Sequence, residues 1–131
     1  MIPKIIHYCW FGHGEKSPLI KKCIKSWSEI SPDYEIKEWN ESNFDINICP
    51  YVKQAYEQKK WAFVSDYARF YVLDKYGGIY LDVDVQLLKP LDDLLENKAF
   101  AGFANNEIVA TGLVFACEKN QSVCSANTQI L

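Results

Sequence analysis

Tyr76-Gly77-Gly78-Ile79-Tyr80-Leu81-Asp82-Val83-Asp84-Val85 joins a helix end, a buried strand and a pair of carboxylates within ten residues. Gly77-Gly78 follows a long run with helical periodicity, and a helix that must turn into an extended chain needs a residue free of Cβ at its end. A left-handed glycine cap is therefore expected there. Ile79, Tyr80, Leu81, Val83 and Val85 are β-branched, aromatic or aliphatic and have the composition of a buried strand. Side chains alternate along an extended segment, so Asp82 and Asp84 are expected on one side, with Leu81, Val83 and Val85 anchoring the other.

Two ionised carboxylates this close repel each other unless a cation or a hydrogen-bond network compensates. Mn²⁺ or Mg²⁺ suits the pair. Such ions take oxygen ligands and bind through one or two carboxylates, water and the oxygens of a phosphate. Asp82 and Asp84 thus read as half of a metal site completed by a diphosphate. The plain alternative is a strand end running into a solvated turn, where aspartates are common.

Upstream, Lys4 to Phe11 reads as a buried first strand that breaks at Gly12-His13-Gly14. Trp10 lies at its exit, where ligands of open α/β sheets bind, and either stacks on a base or belongs to the core. His7 reads as a core histidine. Ser17-Pro18 starts a helix with Ile20, Cys23, Ile24 and Trp27 on one face and Lys21, Lys22 and Lys25 away from it. Tyr34, Ile36 and Trp39 form a second strand, and strand, helix, strand favours a parallel arrangement. After the loop Glu41 to Asn47, Pro50 begins a short helix through Val52, Ala55 and Tyr56.

A longer helix follows from Ala62 to Tyr76, with Phe63, Tyr67, Phe70, Tyr71 and Asp74 along one side and Ala62, Asp66, Arg69 and Leu73 along another. Because it is apolar on more than one face it should be largely buried, which makes Asp66 and Arg69 conspicuous. Three residues apart, they form a salt bridge or open together onto the cavity of Asp82 and Asp84. Beyond Val85, Asp92 and Asp93 read as helix N-terminal acids. The apolar segments Phe100 to Ala104 and Ile108 to Cys117 are compatible with a hairpin or two sheet edges.

The whole is one domain of 131 residues, 49% hydrophobic and 24% charged, which is globular composition. A net charge of -3 argues against nucleic acid as a partner. Five cysteines without a C-x-x-C pair give neither a disulfide framework nor a thiolate zinc site. No apolar run approaches a membrane span or a signal peptide, so a cytoplasmic protein is expected, with peripheral membrane association compatible.

Ile2-Pro3-Lys4-Ile5-Ile6-His7 with Trp10-Phe11-Gly12, Ala62-Phe63-Val64-Ser65-Asp66-Tyr67-Ala68-Arg69, and Gly77-Gly78-Ile79-Tyr80-Leu81-Asp82-Val83-Asp84 together resemble the glycosyltransferases carrying the DXD sugar-binding region. That family includes bacterial capsular and lipopolysaccharide sugar transferases and fungal initiating mannosyltransferases, and the glucosyltransferase domains of large clostridial toxins look related. The resemblance implies an α/β, GT-A-like (Rossmann-like) domain with a mostly parallel sheet. It also implies a nucleotide-diphosphate-sugar donor, with UDP-sugar expected, a saccharide acceptor, and Mn²⁺ or Mg²⁺. By the same analogy Trp10 stacks on the base, Asp66 and Arg69 hold the nucleotide sugar, Tyr80 packs at the donor site, and Asp82 and Asp84 serve the metal, Asp82 also the donor. Transfer with retention, in bacterial surface polysaccharide synthesis, is the implied reaction.

The family generally continues past the DXD strand into an acceptor-binding segment that often supplies another metal ligand. Residues 1–131 are therefore expected to be the donor-binding part of such a domain, truncated at the C-terminus. A nucleotide-sugar-binding module without catalysis is the competing reading. A phosphohydrolase is disfavoured, since His7 and His13 are the only histidines and no general base accompanies the aspartate pair.

Overall fold

The computed structural model describes residues 2–88, 90–95, 99–103 and 113–118. Strand β1 (Ile5–Cys9) leads into helix α1 (Pro18–Ile30), strand β2 (Glu35–Trp39), helices α2 (Pro50–Glu57) and α3 (Trp61–Tyr76), and strand β3 (Gly78–Leu81). A 3-10 turn over Leu91–Leu94 precedes β4 (Ala99–Phe103) and β5 (Leu113–Cys117). The sheet order is β2-β1-β3-β5-β4.

Pairing is parallel across β2-β1-β3, as the strand-helix-strand pattern requires, and antiparallel across β3-β5-β4. The described parts of the two apolar segments near the C-terminus do pair as neighbouring antiparallel strands, and they complete the sheet next to β3; residues 104 and 108–112 of the expected segments lie outside the described residues.

Alternation along β1 sorts the core into two layers. Ile6 and Tyr8 join Trp27 of α1 with Ile79 and Leu81 of β3 on one face. On the other, Cys9 and Tyr80 meet Val64, Ala68, Val72 and Leu73 of α3. The buried stripe of α3 is therefore Val64, Ala68 and Val72, at four-residue spacing, together with Phe70 and Leu73. Phe63, expected on an inward side, is 46% exposed. The small positions Val64, Ala68 and Val72 fit more closely against the sheet than a Phe would.

α1 starts as expected, with the Ser17 hydroxyl accepting from the Ile20 N–H at 3.2 Å and Pro18 in the first turn. His7 is wholly buried. Its Nδ1 accepts from the Trp39 indole N–H at 3.0 Å, which leaves Nε2–H to donate to the Gly77 carbonyl at 2.8 Å. One ring thereby joins β1, β2 and the end of α3, and burial pulls the imidazole down to about 4.

The double glycine has two separate causes. Gly77 ends α3 at φ 69°, ψ 177°. This is not the left-handed cap expected but a positive-φ extended conformation essentially restricted to glycine. Gly78, at φ 117°, lies so close to β1 that a Cβ there would stand 2.7 Å from the Ile5 carbonyl oxygen and 2.9 Å from His7 Nε2. Near the far end of the chain, Asp92 sits in the 3-10 turn and accepts the Tyr34 hydroxyl at 2.7 Å, so it acts as a strut to the α1–β2 connection.

Candidate functional site

At the carboxyl ends of β1 and β3 the chain leaves the sheet beside α3, and a cavity of about 520 Å³ opens there. Its wall brings together Trp10, Asp66, Arg69, Tyr80, Asp82 and Asp84, the six residues singled out in the sequence. The volume is that of an ordinary small-molecule site.

The aspartate pair is not on a strand. β3 ends at Leu81, and residues 82–85 form a turn closed by the Val85 N–H donating to the Asp82 carbonyl at 3.0 Å. Alternation along an extended segment thus does not set the direction of the two carboxylates; the turn does. Their apolar anchors hold as expected at Leu81 and Val85, both fully buried, while Val83 is partly buried and also lines the cavity.

Asp66 and Arg69 satisfy both readings at once. Arg69 Nη2 donates to Asp66 Oδ1 at 2.8 Å, and the pair also faces the cavity, with Arg69 Nη1 3.8 Å from Asp82 Oδ1. The Arg69 side chain is only 12% exposed, and its guanidinium lies over the Tyr80 ring at 5.5 Å. Tyr80 is nearly buried in the wall. Burial first, then the neighbouring Cys9 and the charge of Asp82, push its phenol well above its ordinary range, so it stays a neutral hydroxyl, bonded to the Cys9 thiol. Burial likewise pushes Cys9 up to about 12. The cysteine in the cavity wall is chemically quiet.

Burial raises the Asp82 carboxyl above its ordinary value, Arg69 pulls it back, and the charges of Asp84 and Asp66 raise it further. Three carboxylates therefore line the cavity with one guanidinium, which stands beside two of them, Asp66 and Asp82. A cation that prefers oxygen would relieve the excess negative charge, and the donor set fits one. Among the described residues no group of three or more ligating side chains gathers. Asp82 and Asp84 could then hold a divalent ion through two carboxylates, leaving other positions to water and ligand oxygens, the mode usual for Mg²⁺ and Mn²⁺.

Trp10 is partly buried, between the two readings left open for it. Its backbone N–H donates to the Trp39 carbonyl at 2.8 Å, extending the β1–β2 ladder, while its indole N–H donates to Gly14 at 2.8 Å. Lys16 lies over the ring at 5.4 Å. Other cavity residues had no strong signal in the sequence. Trp61, the first residue of α3, packs against the Gly12 backbone so tightly that a Cβ at Gly12 would fall 2.5 Å from its ring. Glu41 fixes the same loop by accepting from the Gly12 N–H and, at 2.9 Å, from the Tyr56 hydroxyl. Ser65 lines the cavity one residue before Asp66. An aromatic at a helix start and an acid in a polar loop are too ordinary to stand out until the fold sets them against Gly12.

No helix among the described residues is long and apolar enough to cross a membrane. The structure is similar to that of the PaToxG glycosyltransferase, with a TM-score of 0.74 at 23% identity, covering 98% of this chain and 58% of that one. The fold is accordingly that of a GT-A glycosyltransferase. In sequence, inositol phosphoceramide mannosyltransferase 3 of Schizosaccharomyces pombe is 33% identical over 118 residues, covering 80% of this chain and 32% of that protein. Mannosyl phosphorylinositol ceramide synthase CSH1 of Saccharomyces cerevisiae is 32% identical over 111 residues, covering 76% and 27%. The chain thus spans about a third of the length of these curated relatives. Residues 17–101, which include α3 and the Asp82-Val83-Asp84 turn, match the family described as "Glycosyltransferase sugar-binding region containing DXD motif", and the chain belongs to that family.

Proposed function

We propose that this chain binds a nucleoside-diphosphate hexose in the cavity at the carboxyl ends of β1 and β3, with a divalent ion, as the donor half of a hexosyl transfer. The observation that carries the reading is the joint placement of Trp10, Asp66, Arg69, Tyr80, Asp82 and Asp84 around one cavity. Trp10 supplies an aromatic face at the cavity mouth for the base. Asp66 and Arg69 present a carboxylate and a guanidinium to the hydroxyls of the ribose or sugar and to the diphosphate, each already oriented by the other. Tyr80 gives the floor under Arg69. Asp82, held by Arg69 and half enclosed, and the exposed Asp84 would hold Mn²⁺ or Mg²⁺. When bound, the ion neutralises charge on the departing nucleoside diphosphate.

The relatives' names support mannosyl transfer to a lipid-linked inositol headgroup, and we take the acceptor to be a hydroxyl-rich headgroup of that class, a saccharide or an inositol. Retention at the anomeric carbon, a UDP-linked donor and a product in surface polysaccharide are what the family resemblance adds to the proposal. Calorimetry with UDP and GDP, each with and without Mn²⁺, tests the donor reading. Binding of either that requires the ion supports it. Equal binding without the ion removes Asp82 and Asp84 as metal ligands, and no binding of either nucleotide removes the proposal.

A further inference from the structure

Glu41 does not line the cavity of about 520 Å³ among the described residues, yet it is bonded to that cavity's wall from the other side. It borders a smaller cavity of about 300 Å³ whose lining also includes Trp10 and Gly14, so the β1 exit loop lies between the two spaces. Gly12 is the middle of that loop. Its N–H donates to Glu41 Oε2, which also accepts the Tyr56 hydroxyl at 2.9 Å and stands 3.8 Å from His13 Nε2. The Glu41 side chain is 14% exposed. Burial opposes its charge, but the N–H groups of Gly12 and of Glu41 itself, with the Tyr56 hydroxyl, more than offset this and hold the carboxyl below its ordinary value.

The carboxylate is itself fixed by its neighbours. Asn40 Oδ1 accepts from the Ser42 N–H at 2.9 Å and from the Ser42 hydroxyl at 2.6 Å, and the Phe44 N–H donates to the Asn40 carbonyl at 2.9 Å, which closes a turn around Glu41. Phe44 is buried, edge-on to Phe11 of the exit loop at 5.8 Å and to Tyr71 of α3 at 5.6 Å. Trp61 packs on the Gly12 backbone and meets Tyr56 edge-on at 5.1 Å. Glu41, Tyr56, Trp61 and Gly12 therefore close a ring of contacts that ties the exit loop to α2 and α3. Trp10 and Gly14 flank Gly12, and the Trp10 indole N–H donates to the Gly14 carbonyl, so a shift at Gly12 moves the aromatic face.

We propose that Glu41 is a positioning residue for the donor: through the Gly12 N–H it holds the exit loop where Trp10 presents its ring to the larger cavity, without touching the nucleotide itself. This role rests on the donor reading given above. An ionised carboxylate suits it, because one oxygen takes both the Gly12 N–H and the Tyr56 hydroxyl, and bonds to a charged acceptor are roughly twice as strong as neutral ones. Without it the Gly12 N–H loses its acceptor and the loop takes other courses, in which the ring is turned from the cavity. Apparent affinity then falls with the fraction of molecules that keep the competent course.

The test is calorimetry in Mn²⁺ with UDP or GDP, whichever the parent binds, on Glu41→Ala, Glu41→Gln and Tyr56→Phe. Glu41→Ala is expected to raise the dissociation constant about tenfold, with the number of sites per chain unchanged. Glu41→Gln keeps a side-chain oxygen for the Gly12 N–H and is expected to lose less. Tyr56→Phe keeps the ring against Trp61 and removes only the hydroxyl, so it should weaken binding in the parent and have no effect in the Glu41→Ala background. A residue that served only the stability of the fold would behave otherwise: its loss would lower the number of sites, because unfolded chains drop out, and leave the dissociation constant of the rest as it was. That result, or Glu41→Gln and Tyr56→Phe both binding as the parent does, overturns the proposal. If Glu41→Ala does not fold, Glu41→Gln and Tyr56→Phe decide. A parent that binds neither nucleotide removes the donor reading and this role with it, whereas a parent that binds and variants that match it remove this role alone.

Discussion

His7 should make the stability of the fold depend on pH between about 6.5 and 4. Its Nδ1 is occupied by the Trp39 indole N–H, so a second ring proton would face a donor and leave that N–H without an acceptor, in a site closed to water. The folded imidazole is lowered to about 4 from an ordinary 6.5. With the folded value below the unfolded one, the unfolded chain takes up the proton first. The contribution is thus fully present above about pH 6.5 and lost as pH falls towards 4. At about 1.4 kcal/mol per pH unit, that gap amounts to about 3 kcal/mol, of which about 2.5 should be gone by about pH 4.5. The assay is urea unfolding of the parent and His7→Gln from about pH 7.5 to 4.5, with the difference between the two proteins followed. Gln keeps an acceptor and a donor but does not titrate, so the carboxylate contributions common to both proteins cancel. A difference that stays constant across the window would refute the assignment of His7 as a neutral ring held between Trp39 and Gly77.

Asp84→Ala should lower Mn²⁺-dependent nucleotide affinity by at least about tenfold, the usual cost of losing even an outer partner of a metal site, with no loss of thermal stability because the side chain is exposed; unchanged affinity in Mn²⁺ would remove Asp84 from the metal site. Asp66→Ala and Arg69→Ala should each weaken nucleotide binding. Each should also cost about 1–2 kcal/mol of stability, less than the about 3–5 of a fully buried pair because Asp66 is 36% exposed. A double mutant whose loss equals the sum of the two would show that they do not act together. Gly78→Ala should destabilise by at least about 2 kcal/mol, from the positive φ and the contact with Ile5 and His7, read by thermal unfolding; a tolerated alanine would mean that β1 and β3 are further apart than described.

Residues with one strong local preference were legible in the sequence. Ser17-Pro18 as a helix start, the two glycines as a break and the apolar run after them each have a single low-energy use, and the structure uses them so. The gathering of Asp66, Arg69, Asp82 and Asp84 was legible for another reason: Asp66 and Arg69 are charges on a helix that must be buried, and the aspartates follow an apolar strand, whereas Tyr80 entered only through the family resemblance and Trp10 was left between core and site by the residues alone. What periodicity misjudged were features set by contact between elements. The inward stripe of α3 is small where it meets the sheet, so Val64, Ala68 and Val72 displaced Phe63. The shape of residues 82–85 was misread because apolar alternation continues past Leu81 although the ladder does not. Val85 is buried, yet it reaches the core from a turn.

That turn has a consequence for the chemistry which a continuing strand would lack. On a strand, two alternate carboxylates would be held equivalently, both by the sheet. Here the turn is fixed at its two ends, by the β3 ladder at Leu81 and by Trp27 and Ser26 of α1 gripping Val85 and Leu87, and its middle is free to face the cavity. The two aspartates therefore differ. Asp82, 37% exposed, sits against Arg69 and shares its charge with Asp66, whereas Asp84 stands exposed on the α1 side. On the proposed reading Asp82 and Asp84 would hold the divalent ion, whose charge would offset that of Asp82 beside Arg69 and leave more of the guanidinium's charge to a diphosphate. Metal and nucleotide would then each bind more tightly in the presence of the other, by equal factors, as linkage requires. On that proposal Arg69 would be the residue through which the coupling passes.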